Sequence, residues 1–448
     1  MNLTKKLLPI VVAGGVALFS SSCSQPLNSM NSNHRPKVSE IPDLVINEKE
    51  KGTYQIQASD EDGDKLNYSF DNAPSWLSVD SNGLMTWNYP RVKKEKKFTI
   101  TNRVSDGSDR FSQDFNIIVK EVFDYFVSPG ESIQEVINSV PEGSKILVRS
   151  GLYNQNLNLN KRIYLIGEDG TYLNPLGDLP VVTISASGNS RDDPVFLRNF
   201  NIHTAGTGSD PGKKTGIWIV SANPLSHIGL EGLVITGNNI QYETSGLESG
   251  LSISQDVSVD DLVIENSLFR DLSYGIISGA ITSANPGYLR NLAMTDVILE
   301  NNSSKGFYTE RLSDANFTRV TAKNNGNPAL SASWADDWNA GVDINLKYGN
   351  YQNINFIDFS GIGNGIGSLN GAALTIKARG TGSDSSYSAV PATLRNVLIK
   401  GGTFSGNNAY DIRFGEVGKG NTSPTEITLD GVNVTISNEL SGVTLILK

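Results

Sequence analysis

The sequence predicts an all-β protein in which a small β-sandwich precedes a longer parallel β-helix. Three observations support this prediction: alternating strands between turns in the N-terminal part, two interleaved repeats in the C-terminal part, and the overall composition. The chain of 448 residues contains 44 glycines, and only 19% of its residues are charged. This composition favours many short strands joined by turns over helical bundles.

Length and charge limit the number of domains and the classes of partner. A chain of this length is expected to form two domains. The formal net charge is −10, so we do not expect nucleic-acid binding. A local cationic patch could still hold a polyanion. We expect a monomer.

A secretory signal peptide is predicted over residues 1–22. Two lysines precede the apolar run 7–18, which is too short to span a membrane. Cys23, the only cysteine, follows, so no intrachain disulfide can form. The arrangement resembles the lipobox of bacterial lipoproteins, although Ser20 stands where that motif prefers Leu. With Ser24 after the cysteine, the resemblance implies acylation of Cys23 and a lipid anchor in the outer membrane. The alternative is an ordinary cleaved signal with a spare thiol.

Residues 23–40 are rich in Ser, Asn and Pro without periodicity, which predicts a flexible tether. In residues 41–122, apolar and polar residues alternate in short segments between Asp/Gly turns, the pattern of a β-sandwich. Several motifs in this segment resemble bacterial cadherin-like and putative-Ig domains, which implies an immunoglobulin-like fold that spaces or docks another domain. These motifs are Ser59-Asp-Glu-Asp-Gly-Asp-Lys-Leu, Pro74-Ser-Trp-Leu, Gly83-Leu-Met-Thr-Trp and Val104-Ser-Asp-Gly.

Three aspartates in the sandwich segment are candidate metal ligands. Asp60, Asp62 and Asp64 could bind Ca²⁺, since hard cations prefer clustered carboxylates. The spacing is not that of an EF-hand. The alternative is a solvated hairpin turn in which the aspartates hydrogen-bond to nearby backbone amides.

Two repeats interleave in residues 125–448. The first reads aliphatic or Tyr, any residue, Asn/Gly/Asp, apolar, any residue, apolar, and copies begin at Leu197, Leu230, Val259, Leu289, Tyr351, Leu394 and Leu429. The second starts with Gly or Ala and then alternates, with copies at Gly216, Gly250, Gly275, Gly306, Gly341, Ala373, Ala409 and Gly442. Such short strands bury an apolar face only when they are stacked, so the repeats predict a coil. Asn and Gly at fixed turn positions suit left-handed backbone and can stack as ladders.

The start of this region contains a short amphipathic helix. Ile133, Val136, Ile137 and Val140 lie on one face of it, and short apolar strands follow. This opening resembles the N-terminal cap of right-handed, pectin-lyase-like β-helices. The resemblance implies that the helix covers the open end of the coil, where a sheet edge and the apolar interior would otherwise be exposed.

The alternation in the second repeat predicts which side chains share a face. The residues expected to point inward are Ile217, Leu251, Ile276, Phe307, Val342, Leu374 and Ile412. One outward column reads Trp218, Ser252, Ile277, Tyr308, Asp343, Thr375 and Asp411. The next reads Val220, Ser254, Gly279, Glu310, Asn345, Lys377 and Arg413, and a third ends in Lys347 and Arg379. The polar residues from Tyr308 to Arg413 therefore form the candidate site.

The resemblance adds a location for this site, because pectin-lyase-like enzymes place their substrate cleft on such a face. Two insertions, 327–340 and 380–393, could form walls of a groove. Trp334 and Trp338 in the first insertion suit stacking on sugar rings. We therefore expect Tyr308, Asn345, Lys347, Asp411 and the two tryptophans to bind substrate.

Lys377, Arg379 and Arg413 are the first candidate catalytic residues. Like charges about 5 Å apart repel by roughly 3 kcal/mol at an effective dielectric near 20. We expect this repulsion to lower the pKa of Lys377, as the base of a polysaccharide lyase requires. The same cations would hold uronate or sulfate groups.

Two other interpretations remain open. Glu310 and Asp343 could be the acid and base of a glycoside hydrolase. Alternatively, the charges only pair with one another, and the protein is a noncatalytic adhesion or structural module on the cell surface. The Gly-His-Gly motif of polygalacturonases and the Asp-Pro-His-Asp motif of alginate epimerases are absent. The sequence thus predicts a lipoprotein that binds an acidic polysaccharide, with a lyase as the preferred chemistry if it is an enzyme.

Overall fold

The computed structural model describes residues 33–177, 179–204, 214–238, 248–278, 287–326, 338–380, 390–408, 410–415, 426–436 and 444–448. The predicted signal peptide and Cys23 lie outside these residues. In the described part the chain is nearly all β, with one α-helix. No helix there has the length and hydrophobicity that a membrane span requires.

The chain divides into two compact units. The first consists of the residues up to Leu44 together with Lys51–Asn88 and Phe98–Ile117. The second consists of Val45–Glu50, Tyr89–Lys97 and Ile118–Lys448.

Antiparallel sheets make up the N-terminal part, as predicted for a β-sandwich. A four-stranded sheet has the spatial order Leu44–Asn47, Arg110–Lys120, Lys96–Ser105 and Asn67–Asp71. A three-stranded sheet has the order Lys51–Gln55, Leu84–Asn88 and Leu77–Val79, and a further pair joins Lys37–Val38 to Ala58–Ser59. Both larger sheets contribute to the apolar core, since Met85, Val104 and Ile117 are completely buried.

Three parallel sheets form the second unit and confirm the predicted β-helix. The first sheet contains Tyr125–Val127, Lys145–Val148, Tyr164–Gly167, Val195–Arg198, Leu225–Glu231, Val259–Glu265, Leu289–Arg290, Ala293–Thr295, Ala315–Thr318, Asn350–Ile357, Thr393–Lys400, Glu426–Asp430 and Thr444–Leu447. The second contains Gly151–Asn154, Thr171–Asn174, Asn201–His203, Val234–Thr236, Leu268–Arg270, Ile298–Glu300, Thr321–Lys323, Ser360–Ile362 and Thr403–Ser405. The third contains Leu157–Leu159, Val182–Ile184, Thr215–Ile219, Ser249–Ile253, Tyr274–Ser278, Lys305–Thr309, Ala340–Leu346, Ala372–Ala378 and Tyr410–Phe414.

The predicted capping helix is Ile133–Ser139. Its N-cap is Ser132, whose hydroxyl accepts a hydrogen bond from the Glu135 N–H at 3.2 Å. Ile133 and Ile137 are completely buried and join the same apolar core as the first strands of the coil. The helix therefore covers apolar side chains at the N-terminal end of the β-helix.

One apolar core runs along the inside of the coil. The seven inward residues predicted from the second repeat are all at most 1% exposed: Ile217, Leu251, Ile276, Phe307, Val342, Leu374 and Ile412. Their alternation along each strand fixes the opposite set as outward.

An asparagine ladder stabilises the turn that precedes the third sheet. Asn302, Asn325 and Asn364 each donate from Nδ2 to the side-chain oxygen of the next ladder residue, ending at Asn407, at 2.8, 3.0 and 3.1 Å. Asn407 Nδ2 in turn donates to Asp411 Oδ1 at 2.9 Å. Asp411 therefore terminates this ladder. The strand register places Arg413 and not Asp411 after Thr375, so the predicted column position of Asp411 is wrong, while its role in substrate binding stays a prediction.

The first repeat occupies two different places in the coil. In the copies at Leu197 and Leu230 the third residue, Asn199 or Gly232, ends a strand of the first sheet with φ near +60°. In four other copies the third residue lies inside a strand of the first sheet or between two of its strands, again with positive φ. These residues are Asp261, Asn291, Asn353 and Asn396. Both places need a left-handed residue between inward apolar side chains, so the sequence pattern alone does not distinguish them.

Candidate functional site

The strand register of the third sheet brings the outward residues into columns. Tyr308 pairs with Asp343, Asp343 with Thr375, and Thr375 with Arg413. Asn345 pairs with Lys377 in the neighbouring column. The first predicted column is therefore correct from Trp218 to Thr375, and the second is correct for Asn345 and Lys377, while its Gly279 lies outside the described residues. Both columns are wrong in the last rung. Leu374 pairs with Ile412, so the next residue, Arg413, follows Thr375 and not Lys377.

We use the name third-sheet face for the outward residues of strands Lys305–Thr309, Ala340–Leu346, Ala372–Ala378 and Tyr410–Phe414, the residues just after their ends, and Lys305, whose ammonium contacts Asp343. The set is Lys305, Tyr308, Glu310, Asp343, Asn345, Lys347, Thr375, Lys377, Arg379 and Arg413. The predicted exposure of this face is wrong. Asp343 is completely buried, Lys377 is 2% exposed and Arg413 is 3% exposed. Part of the cover is aromatic, because the half-buried Trp338 ring lies 4.6 Å from Lys377 Nζ and 5.8 Å from the Arg413 guanidinium carbon. Trp334 lies outside the described residues.

Asp343 is the centre of a buried ion cluster. One carboxylate oxygen lies 3.3 Å from Lys377 Nζ, and the other contacts Lys305 Nζ. Burial raises the pKa of Asp343, but the combined effect of the two lysines outweighs burial and holds this pKa below its ordinary value. The carboxylate is therefore ionised at neutral pH.

A second chain of polar contacts runs along the same face. The Tyr308 hydroxyl donates to Glu310 Oε1 at 2.5 Å, and Lys347 Nζ contacts the same oxygen. Asn345 Nδ2 donates to the Tyr308 oxygen at 3.1 Å, and Arg379 Nε donates to Asn345 Oδ1 at 2.8 Å. Burial, and then the charges of Glu310 and Asp343, raise the pKa of Tyr308, so its phenol stays protonated.

These contacts change the predicted chemistry. Lys377 is paired with the Asp343 carboxylate, a partner that the sequence analysis did not predict for it. A glycosidase general acid must be protonated, whereas the two lysines lower the pKa of Asp343 and favour its ionised form. Glu310, the other member of the predicted pair, contacts Lys347.

Sequence reasoning missed two residues of the site. Lys305 escaped notice because it stands before Gly306, where the alternation used for the columns begins. Thr375 was assigned to a column but given no role. The pattern of residues provided only its place in the outward column after Asp343, because its neighbour Arg413 emerged from the strand register.

The three aspartates of the N-terminal unit lie close together, with one oxygen from each within 4.8 Å of the others. Asp60 Oδ1 accepts hydrogen bonds from the backbone N–H groups of Asp62 and Asp64, at 2.9 and 3.3 Å. Asp62 also accepts from the His34 backbone N–H at 2.6 Å. Hydrogen bonds from backbone amides to aspartate side chains are what the alternative interpretation, a hairpin turn, predicts. Ca²⁺ binding by the three aspartates stays a prediction.

Comparison with known proteins assigns the N-terminal segment. The family described as "Putative Ig domain" matches residues 35–120. This segment is an Ig-like domain. The two-domain structure of human protocadherin-24 EC1-2 is 20% identical over 21% of this chain and 50% of its own, with a TM-score of 0.18. The chain thus spans about half the length of the protocadherin structures that it matches.

For the β-helix, the A-module of mannuronan C-5 epimerase AlgE4 from Azotobacter vinelandii is 16% identical. The match covers 72% of this chain and 97% of the module, with a TM-score of 0.36. A SusE-like, surface-located polysaccharide-binding protein of Bacteroides thetaiotaomicron is 13% identical over 26% of this chain and 20% of its own, with a TM-score of 0.16. No curated protein matches the chain.

Proposed function

We propose that the third-sheet face binds an acidic polysaccharide. The observation that supports this proposal most is the charge of the face. It carries five cationic side chains, Lys305, Lys347, Lys377, Arg379 and Arg413, and two carboxylates, a formal balance of 5 − 2 = +3 within a chain of net charge −10. Ammonium and guanidinium groups form charge-assisted hydrogen bonds with the carboxylate and sulfate groups of such polymers.

The aromatic residues of the face support a sugar as the ligand. Trp338 contacts both Lys377 and Arg413, and the Tyr410 ring lies 5.0 Å from the Arg413 guanidinium carbon. An aromatic ring offers a flat apolar surface to the C–H groups of a sugar. Cations beside such a ring are in position to bind the acidic substituent of the same sugar.

Binding is better supported than cleavage. The predicted base, Lys377, is ion-paired with Asp343, and the two carboxylates of the predicted hydrolase both contact lysines. The proposal includes the lipid anchor at Cys23 and the outer-membrane location, which depend on the sequence motif alone.

Replacing Trp338 by Ala is expected to weaken binding to acidic polysaccharides about tenfold, because large aromatic residues at the centre of a binding surface contribute more than 1 kcal/mol each. The measurement is retardation in native gels that contain polygalacturonate, alginate, chondroitin sulfate or neutral dextran. The matched control is Trp218→Ala, since Trp218 is half-buried and outward on an earlier rung of the same sheet.

We expect the wild-type protein and W218A to be retarded by at least one acidic polymer and not by dextran, and this retardation to decrease with added salt. Unretarded migration of the wild-type protein in every acidic gel would contradict the proposal, as would equal losses in W218A and W338A. An increase in the absorbance of newly formed unsaturated sugar ends, measured on the same samples, would show that the protein is a polysaccharide lyase.

A further inference from the structure

We infer that Thr375, together with Lys377 and Arg413, forms a subsite for one oxyanion carried by the bound sugar, either a uronate carboxylate or a sulfate ester. This inference rests on the proposed function and specifies the chemical group that the face recognises.

The hydroxyl of Thr375 is the observation from which the subsite follows. Leu374 and Ile376 on either side are completely buried in the core of the coil, so the Thr375 side chain points outward. Thr375 is nevertheless only 1% exposed, and its Oγ1 has no hydrogen-bond partner among the described residues. Buried hydroxyl groups are nearly always hydrogen-bonded, and leaving one unbonded is costly. An external acceptor would remove this cost.

The neighbours of Thr375 select a negatively charged acceptor. Arg413 follows Thr375 in the strand register, and adjacent rungs are about 4.8 Å apart. Lys377 is two residues further along the same strand and therefore points to the same side. The Trp338 ring contacts both cations and would lie beside a sugar bound here. An oxyanion can thus accept the Thr375 O–H and interact with two cations at once.

Asp343, the other neighbour of Thr375, does not exclude an anion. Its two carboxylate oxygens contact Lys305 and Lys377, and these two lysines outnumber its single negative charge. On earlier rungs the position equivalent to Thr375 is occupied by Trp218, Ser252, Ile277 and Tyr308. Among these positions, only Thr375 carries a hydroxyl whose partner on the next strand is an arginine. We therefore expect a single oxyanion subsite in the described part of the face.

Replacing Thr375 by Val tests the subsite, because valine keeps the shape of threonine and removes the hydroxyl. We expect the affinity for an acidic oligosaccharide to fall about tenfold, the usual effect of losing a hydrogen bond to a charged group. We also expect the melting temperature to rise, because the unbonded buried hydroxyl is gone. Thr375→Ser keeps the hydroxyl and should bind like the wild-type protein. Thr318→Val, on the first sheet, is the matched control and should leave affinity unchanged.

Titration calorimetry with oligogalacturonate, which carries only carboxylates, and with carrageenan oligosaccharides, which carry only sulfates, identifies the oxyanion. A tenfold loss in T375V on either ligand supports the subsite. If the wild-type protein binds an oligosaccharide and T375V binds it equally well, the subsite is wrong while the proposed function stands. If the wild-type protein binds neither ligand, the subsite fails, and the proposed function fails with it only if no acidic polymer retards the protein in the gels described above.

Discussion

Replacement of Gly306 by Val is expected to destabilise the β-helix by about 3 kcal/mol or more, a large fraction of the stability of a typical domain. A Cβ atom on Gly306 would lie 2.5 Å from the carbonyl oxygen of Gly341 on the next rung and 2.9 Å from Leu299 Cβ. The carbonyl belongs to a parallel sheet packed on both sides, so it has little freedom to move. The same close approach recurs at three earlier strands of the third sheet, at Gly216, Gly250 and Gly275.

The effect is measured as the midpoint of urea unfolding, followed by circular dichroism, or as the loss of soluble protein. Gly406→Asn is the matched control. A side chain at Gly406 would meet no atom within 4 Å, and asparagine tolerates its φ of +61°. We expect the control to stay within about 1 kcal/mol of the wild-type protein. A G306V protein with the stability of the control would show that the rungs are spaced differently from the structure described here.

Replacement of Asp343 by Ala is expected to cost about 3–5 kcal/mol at neutral pH, because it removes the carboxylate shared by two buried lysines. The pKa of Asp343 is lowered in the folded protein, so its stabilising contribution is present above the unfolded pKa of about 3.9 and is lost as the pH falls through the folded pKa. The difference in stability between D343A and the wild-type protein should therefore shrink in acid.

Urea unfolding at pH 7 and at about pH 3 measures this difference. Asp296→Asn removes an exposed carboxylate, which is 43% accessible and paired with Arg319, and asparagine tolerates the φ of +55° at this position, so it should cost at most about 1 kcal/mol. Equal costs for D343A and D296N at pH 7 would contradict the buried ion cluster. A difference that stays constant down to pH 3 would contradict the ionisation assigned to Asp343.

The inward side chains of the β-helix could be predicted from the sequence, because a strand with an apolar residue at every second position can bury only that face in the core. The same alternation placed Tyr308, Asp343, Asn345 and Lys377 on one outward face. Their pairing could not be predicted, since the partners of a charged side chain depend on rotamers and on the residues that cover them. Lys377 illustrates this, because its neighbour in the structure is a carboxylate and not the predicted arginines alone.

The error in the last rung has a physical cause. On earlier rungs the start of the second repeat is marked by a glycine that must fit under the carbonyl of the following strand. The last two rungs lack this glycine, because Ala373 and then Asp411 occupy its position. Without that marker, the alignment on Ala409 placed Arg413 two residues out of register.

A crystal structure of the protein with a bound acidic hexasaccharide tests the central claim most directly. The account predicts sugar density along the outward side of strands 305–309, 340–346, 372–378 and 410–414, with an anionic group within about 3 Å of Thr375 Oγ1. Sugar bound on the second sheet or on the Ig-like domain, with Trp338 still seated on Lys377 and Arg413, would contradict it.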